Sequence, residues 1–282
     1  MQLSIRHETV YRYTQPQAYS IDLLHLTPRA EPQQQVMAWH IGMPGHPAAY
    51  NDAYGNVSHM LTLNEPHDIV RILVEGMIST TAPPEGRLFG PETLSPLIFT
   101  VPTPLTLPTP QLADVAARCL PPTGARVRTA DLMALAAHVH GAVAYQSGAT
   151  NVFSTAGDAM CLGAGVCQDH AHIFLACCHA RGIPARYVSG YIDPESTGHA
   201  ASHAWVDAWV EDDDFTGWVS IDVTHNRLMT DAYCRLAIGR DYESAAPVRG
   251  MRRGGGEETM HVEALIVPVQ LPLYNERFNQ QQ

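Results

Sequence analysis

Basic residues are scarce in this chain: lysine and arginine together number 17 against 28 aspartates and glutamates, a formal net charge of −11. That excess disfavours nucleic acid and anionic membranes as partners, because both attract basic surfaces. Charge of either sign is sparse as well, at 16% of residues, while hydrophobic residues reach 45%. Such a composition describes a folded globular chain and excludes a disordered one. No apolar run approaches the roughly 18–20 residues needed to cross a bilayer. The opening stretch MQLSIRHETVYRY alternates polar and apolar residues and lacks the apolar centre of a signal peptide. Glycine fingerprints for dinucleotides or phosphates are missing, and so is any internal repeat. These absences lead to the expectation of a soluble cytoplasmic protein with no cofactor. Its 282 residues suffice for one large domain or two ordinary ones. The six cysteines include the adjacent pair Cys177 and Cys178, and without an export signal they read as reduced thiols.

What is present divides the chain in three: a β-rich region over 1–82, a proline-studded connection over 83–110, and a mixed region over 111–282. In the first, Leu3, Ile5, His7, Thr9, Tyr11 and Tyr13 share one phase of a period-two pattern. Further strands are expected near 36–41, 57–63 and 69–78, separated by turn pairs such as Asn51-Asp52 and Gly55-Asn56. A small β-sandwich is one way to bury them. In the second, eight prolines withhold backbone donors and stiffen the chain. Helical spacing then takes over: Ala113, Ala116, Ala117 and Leu120 predict one buried face, and Leu132, Leu135, Ala136 and Val139 another. A helix beginning at Cys167, strands through Tyr191, Val210 and Val223, and a last strand over 262–269 complete the reading.

The chemistry concentrates in GAGVCQDHAHIFLACCHARGIPARYVSGY, residues 163–191. After Cys167, the apolar residues Ala171, Phe174, Leu175 and Cys178 recur at helical spacing, and Gly182 with Pro184 ends the helix. Cys167 therefore sits at the first turn, where unpaired N–H groups and the positive end of the helix dipole stabilise a thiolate. Gly163 and Gly165 let the backbone turn sharply and keep the sulfur approachable. Most lone cysteines on apolar helices are buried and inert; that reading suits Cys177 and Cys178 and suits Cys167 poorly. Downstream, Ala204, Val206, Ala208 and Val210 line one face of a strand whose other face begins with His203. A second strand over 218–224 carries Asp222 on its polar phase. The midpoint between His203 and Asp222 falls in the acidic turn 211–214, so a hairpin would return the two to the same end. An aspartate there can hold an imidazole in one tautomer and favour its protonated form.

A glycine-flanked cysteine at a helix start, then a strand histidine, then a strand aspartate resembles the transglutaminase-like superfamily. The words Gly165-Val166-Cys167-Gln168-Asp169, Ala171-His172, Gly182-Ile183-Pro184-Ala185-Arg186-Tyr187-Val188-Ser189-Gly190-Tyr191 and Ser202-His203-Ala204-Trp205 are similar to its bacterial branch. The first 80 residues resemble the β-domain that accompanies that branch, so nearly the whole chain is covered. The resemblance implies an α+β fold: a papain-like core of helices packed on an antiparallel sheet, preceded by a β-sandwich-like N-terminal domain. It also implies catalytic roles for Cys167, His203 and Asp222, with a thioester formed on an amide carbonyl and resolved by water or an amine. Bacterial relatives are regarded as proteases, so a peptide, protein or isopeptide substrate is expected. A crosslinking transglutaminase and a non-catalytic binding module are the alternatives. Tyr145 is a candidate second oxyanion donor. His170 departs from the branch, which carries a bulky aromatic there, and puts a titratable ring near the site.

Asp169 and Arg186 read as a structural ion pair near the site, and Trp205 and Trp209 as core or cleft-wall aromatics. His170, His172 and His179 lie near three cysteines, which raises a zinc alternative. Paired C-x-x-C units are missing, however, so no metal is expected. The acidic run 211–214 reads as a solvated turn.

Overall fold

A computed structural model describes residues 1–45, 47–91, 94–193 and 202–269. The expected alternation near the N-terminus builds one 23-residue strand, β1 (Gln2–Leu24), with Leu3, Ile5, His7 and Thr9 all buried. It is followed by β2 (Gln34–Gly42), β3 (Ala48–Asn51), β4 (Val57–Leu63) and β5 (His67–Thr80). A strand this long outreaches any single neighbour. The first half of β1 pairs with β5, and its second half with β4; β2 and β3 extend the two sides.

The proline-rich connection passes through short 3₁₀ turns at Pro84–Gly86, Pro96–Thr100 and Pro104–Thr106. It leads to α1 (Pro110–Cys119), α2 (Thr129–Ala142), β6 (Ala144–Tyr145), α3 (Ala156–Leu162), β7 (Ala164–Gly165) and α4 (Cys167–Ala180). The inward face of α1 consists of Leu112, Val115, Ala116 and Leu120. The expected Ala113 and Ala117 are exposed, because the larger Leu112 and Val115 gain more from burial and set the rotation. Thr109 caps α1 through Leu112 N, with Pro110 at its first position. The turn 211–214 is pinned by cations and a helix start: Asp212 accepts from the backbone and hydroxyl of Thr129, and Arg126 and Arg87 hold Asp213 and Asp214.

After α4 come β8 (Ala185–Ile192), β9 (Ser202–Glu211), β10 (Thr216–Asp222), β11 (Arg227–Leu228) and β12 (Tyr233–Gly239). They form an antiparallel sheet in the order β11-β10-β9-β8-β12. Alternation along these strands sorts side chains to two covers. Tyr187, Ala204, Val206 and Val219 face the helices, with α4 buried along nearly its full length. Val188, Trp205 and Trp218 face the other way, where Phe99 of the proline-rich connection packs on Trp218 edge-to-face at 5.6 Å. That connection is thus part of the core and braces the outer face of the sheet.

A short α5 (Tyr242–Ala245) precedes β13 (Val248–Gly254) and β14 (Glu258–Pro268). The strand expected over 262–269 lies largely within β14, yet it joins the N-terminal sheet: β14 pairs with the first half of β1 and β13 with the second. Leu3, Ile5, Val70 and Ile72 on one side meet Tyr191, Cys234 and Leu236 of the five-stranded sheet on the other. The N-terminal sheet and the α/β core therefore share a hydrophobic layer.

Candidate active site

Cys167 is the first residue of α4, with Val166 at the N-cap position. Val166 has no polar side chain, so the cap comes from inside the helix. Asp169 Oδ2 accepts from Val166 N at 2.7 Å and from the Thr150 hydroxyl at 2.6 Å. This satisfies an amide that would otherwise lack a partner and puts a carboxylate at the positive helix end. A Cβ at Gly165 would lie 2.6 Å from that same oxygen, so glycine is required by the cap. The parallel bridge of β6 with β7 holds Tyr145 beside Gly165. At the far end of α4, Gly182 takes φ +67° and donates to His179 O.

The expected Asp169–Arg186 pair does not form. Tyr187 faces the helices, so its neighbour Arg186 projects to the outer face, where its Nε donates to Asp207 Oδ2 at 2.8 Å. Strand alternation separates the two residues across the sheet. Trp205 is fully buried on the outer face, and its Nε1 donates to Ser220 Oγ at 3.0 Å.

His203 Nε2 and Asp222 Oδ2 are 2.8 Å apart. The hairpin register sets Ile221 opposite Val206, so Asp222 lies opposite Trp205 and meets His203 on the diagonal. The His203 ring stacks on Trp205 at 5.9 Å between centroids and lines one pocket with Cys167. Burial by itself would lower the histidine's pKa, but the Asp222 carboxylate, aided by Cys167, raises it to about 10. Burial likewise opposes ionisation of Asp222, and the neighbouring histidines overcome it and hold that carboxyl well below its usual range. Cys167 and His203 thus line a pocket of about 220 Å³ together with Tyr145, Tyr187 and Ser189, and Asp222 lies buried behind His203. Tyr145 stands on the pocket's rim, 59% exposed.

Two residues that sequence reasoning passed over complete the surroundings of Asp222. The His225 ring Nδ1 lies 2.7 Å from Asp222 Oδ2, and its backbone N–H donates to Oδ1 at 3.1 Å. The Tyr233 hydroxyl donates to Oδ2 at 2.7 Å and accepts from Arg227 Nε at 2.9 Å. A histidine three residues past a strand-end aspartate is a local signal that could have been read. Tyr233 left no such signal, since it starts β12 at the opposite edge of the sheet from β10.

His170 is buried. Its Nε2 lies 3.1 Å from Val143 O and its Nδ1 lies 3.0 Å from Thr224 Oγ1, and burial lowers its pKa. It is thereby committed to structure as a neutral ring. His172 Nε2 accepts from Tyr242 N. The zinc grouping of His170, His172 and His179 with cysteines does not assemble among the described residues. The metal-capable atoms that do converge, within 4.8 Å of one another, belong to His203, Asp222 and His225.

Residues 3–79 match the family described as the bacterial transglutaminase-like N-terminal region, and residues 117–223 match the transglutaminase-like superfamily. The chain belongs to the transglutaminase-like superfamily. An uncharacterized protein of Mycobacterium tuberculosis (strain H37Rv) is 28% identical across 94% of this chain and 92% of the relative. One of Mycobacterium leprae is 29% identical across 92% and 96%. The transglutaminase-like fold is shared with a crystal structure described as "a Putative Cysteine Protease" from Cytophaga hutchinsonii. Its TM-score is 0.74 at 20% identity, covering 96% of this chain and 92% of the other. No helix among the described residues is long and apolar enough to cross a membrane.

Proposed function

We propose that this protein is a cysteine-nucleophile hydrolase that cleaves an amide, peptide or isopeptide bond through a thioester acyl-enzyme. Cys167 is the nucleophile, His203 the acid–base group and Asp222 its orienting carboxylate. One observation carries the reading: His203 Nε2 lies 2.8 Å from Asp222 Oδ2, and the same ring lines one pocket with Cys167. A strand histidine backed by a carboxylate and sharing a pocket with a thiol at a helix N-terminus is the arrangement that nucleophilic catalysis needs. A charged imidazolium and the first amides of α4 both favour negative charge on the sulfur.

In the first half-reaction the sulfur attacks the carbonyl carbon and a C–S bond forms. The resulting oxyanion lies against the unpaired amides of the helix start, with Tyr145 as a candidate second donor. Collapse breaks the C–N bond, and His203 passes its proton to the departing amine. In the second, water attacks the thioester and gives a proton to His203, the C–S bond breaks, and the acid leaves. Asp222 keeps the ring oriented and its positive charge compensated in both halves.

The test is incubation with a peptide or isopeptide acyl donor, with and without a labelled primary amine. All 17 basic residues are arginine, so no lysine of the enzyme itself competes as acceptor. Release of free acid without amine incorporation is expected. Dominant amine incorporation would replace hydrolase by transferase. Absence of turnover together with an unreactive Cys167 would make the site a binding module.

A further inference from the structure

On the outer face of the five-stranded sheet, buried charges do not cancel. Arg235, fully buried, donates from Nη1 and Nη2 to the two oxygens of Asp207 at 2.9 and 2.7 Å, and its Nε lies 2.6 Å from Glu31 Oε2. Arg186 Nε donates to Asp207 Oδ2, and Arg29 Nε to Glu31 Oε1, each at 2.8 Å. Glu31 stays ionised against the effect of its burial because Arg235 and Arg29 flank it. Three guanidinium groups thus share two carboxylates, leaving one positive charge in excess in a poorly solvated place.

The excess has a location. Arg186 is only 8% exposed, and its guanidinium stacks on the Trp218 ring at 4.1 Å. Among the described residues, Nη1 and Nη2 of Arg186 meet no acceptor; Asp207 engages Nε alone. Arg186 forms part of the wall of a cavity of about 220 Å³, together with Arg29, Glu31, Tyr54, Leu88 and Leu94. Arg29 spends Nε and Nη1 on Glu31, Tyr54 O and Asn56, and its Nη2 likewise has no acceptor among the described residues. No further carboxylate lines the cavity among those residues. In a chain of net charge −11, this concave cationic spot runs against the general field.

We propose that this cavity is an oxyanion-binding site, taking a carboxylate or phosphate on the open side of the Arg186 guanidinium with Arg29 beside it. A planar guanidinium with two free N–H groups matches such an anion bidentately. The volume is below the roughly 300–1,000 Å³ that encloses a drug-sized ligand, so the site takes a compact anion or the anionic end of a larger molecule. Leu88 and Leu94 supply apolar contact for the ligand's body. The site spans two parts of the fold: Arg29 lies between β1 and β2, whereas Arg186 is in β8. The next residue, Tyr187, lines the candidate active-site pocket on the sheet's other face. An anion bound here therefore ties the N-terminal region to the catalytic sheet and stabilises both.

Titration calorimetry and thermal unfolding of the full chain at fixed ionic strength test the proposal, with inorganic phosphate and benzoate as probes and chloride as reference. Saturable binding of one or both probes is expected, and preference between them separates a phosphate ligand from a carboxylate. Arg186→Lys keeps a cation opposite Asp207 but removes the two-pronged donor, so its dissociation constant should rise at least about ten-fold. Arg29→Gln leaves Glu31 paired with Arg235 and provides the same comparison should the lysine variant not fold. The proposal is overturned if neither probe binds saturably, or if both variants bind as the parent does. A non-saturating rise in melting temperature shared by all three proteins is a solvent effect of phosphate and counts against it.

Discussion

Replacing Asp222 with asparagine probes the centre of the site with almost no change of shape. In the parent, Oδ2 meets His203, His225 and Tyr233, while Oδ1 accepts from the His225 backbone N–H. Asparagine can present its carbonyl oxygen to the three groups only by turning its NH₂ toward that backbone N–H, donor against donor. It also removes the negative charge that raises His203 to about 10. A hydrogen bond to a charged group contributes about 1.5–3 kcal/mol, so the protonated ring loses about 10- to 150-fold of its stabilisation at roughly 1.36 kcal/mol per factor of ten. The assay needs no substrate. Iodoacetamide labelling followed from about pH 6 to 11, with peptide mapping, gives the rate at Cys167 relative to the exposed Cys161 in the same molecule. The alkaline step that His203 imposes on that ratio should move down by about 1–2 pH units in Asp222→Asn. Cys177, Cys178 and Cys234 are fully buried, so their labelling would report unfolding of the variant. An alkaline step that stays in place in a folded variant would refute the link from Asp222 through His203 to the sulfur.

Tyr233→Phe deletes one donor to Asp222 and the acceptor of Arg227; about 1 kcal/mol of stability is at stake, read in urea unfolding. Gly165→Ala pushes a methyl group to 2.6 Å from Asp169 Oδ2. The α4 cap should then weaken by about 0.5–2 kcal/mol, seen in urea unfolding together with slower labelling of Cys167. For pH, Asp222 is depressed in the fold, so its contribution is present above its unfolded value of about 4 and is lost on acidification below it. His203 is raised, so its contribution is complete below 6.5 and fades as pH rises toward about 10. The stability gap between parent and Asp222→Asn should therefore peak between about pH 4 and 6.5 and close by about pH 10. A gap that widens on the alkaline side would show the assignment to be wrong.

Much of the site was legible because its cues are local. The start of α4 at Cys167 follows from glycine before it, apolar spacing after it and Gly182 beyond, all within twenty residues. The meeting of His203 with Asp222 follows from one hairpin, whose turn and alternation are written in a continuous stretch. By itself the sequence also marked the first half of β1 and most of β2, β4 and β5, since period-two patterning needs no distant partner to be recognised. Tertiary structure alone decided which buried charges meet. Asp169 turned to its own helix end, Arg186 went to Asp207 on the opposite face, and Tyr233 reached Asp222 from the far edge of the sheet. It also decided that β13 and β14 join β1 instead of extending the five-stranded sheet. The physical reason is common to all four. A strand or helix pattern tells which residues must be buried, but edge pairing and charge pairing are selected among remote candidates by the packing that excludes water from them.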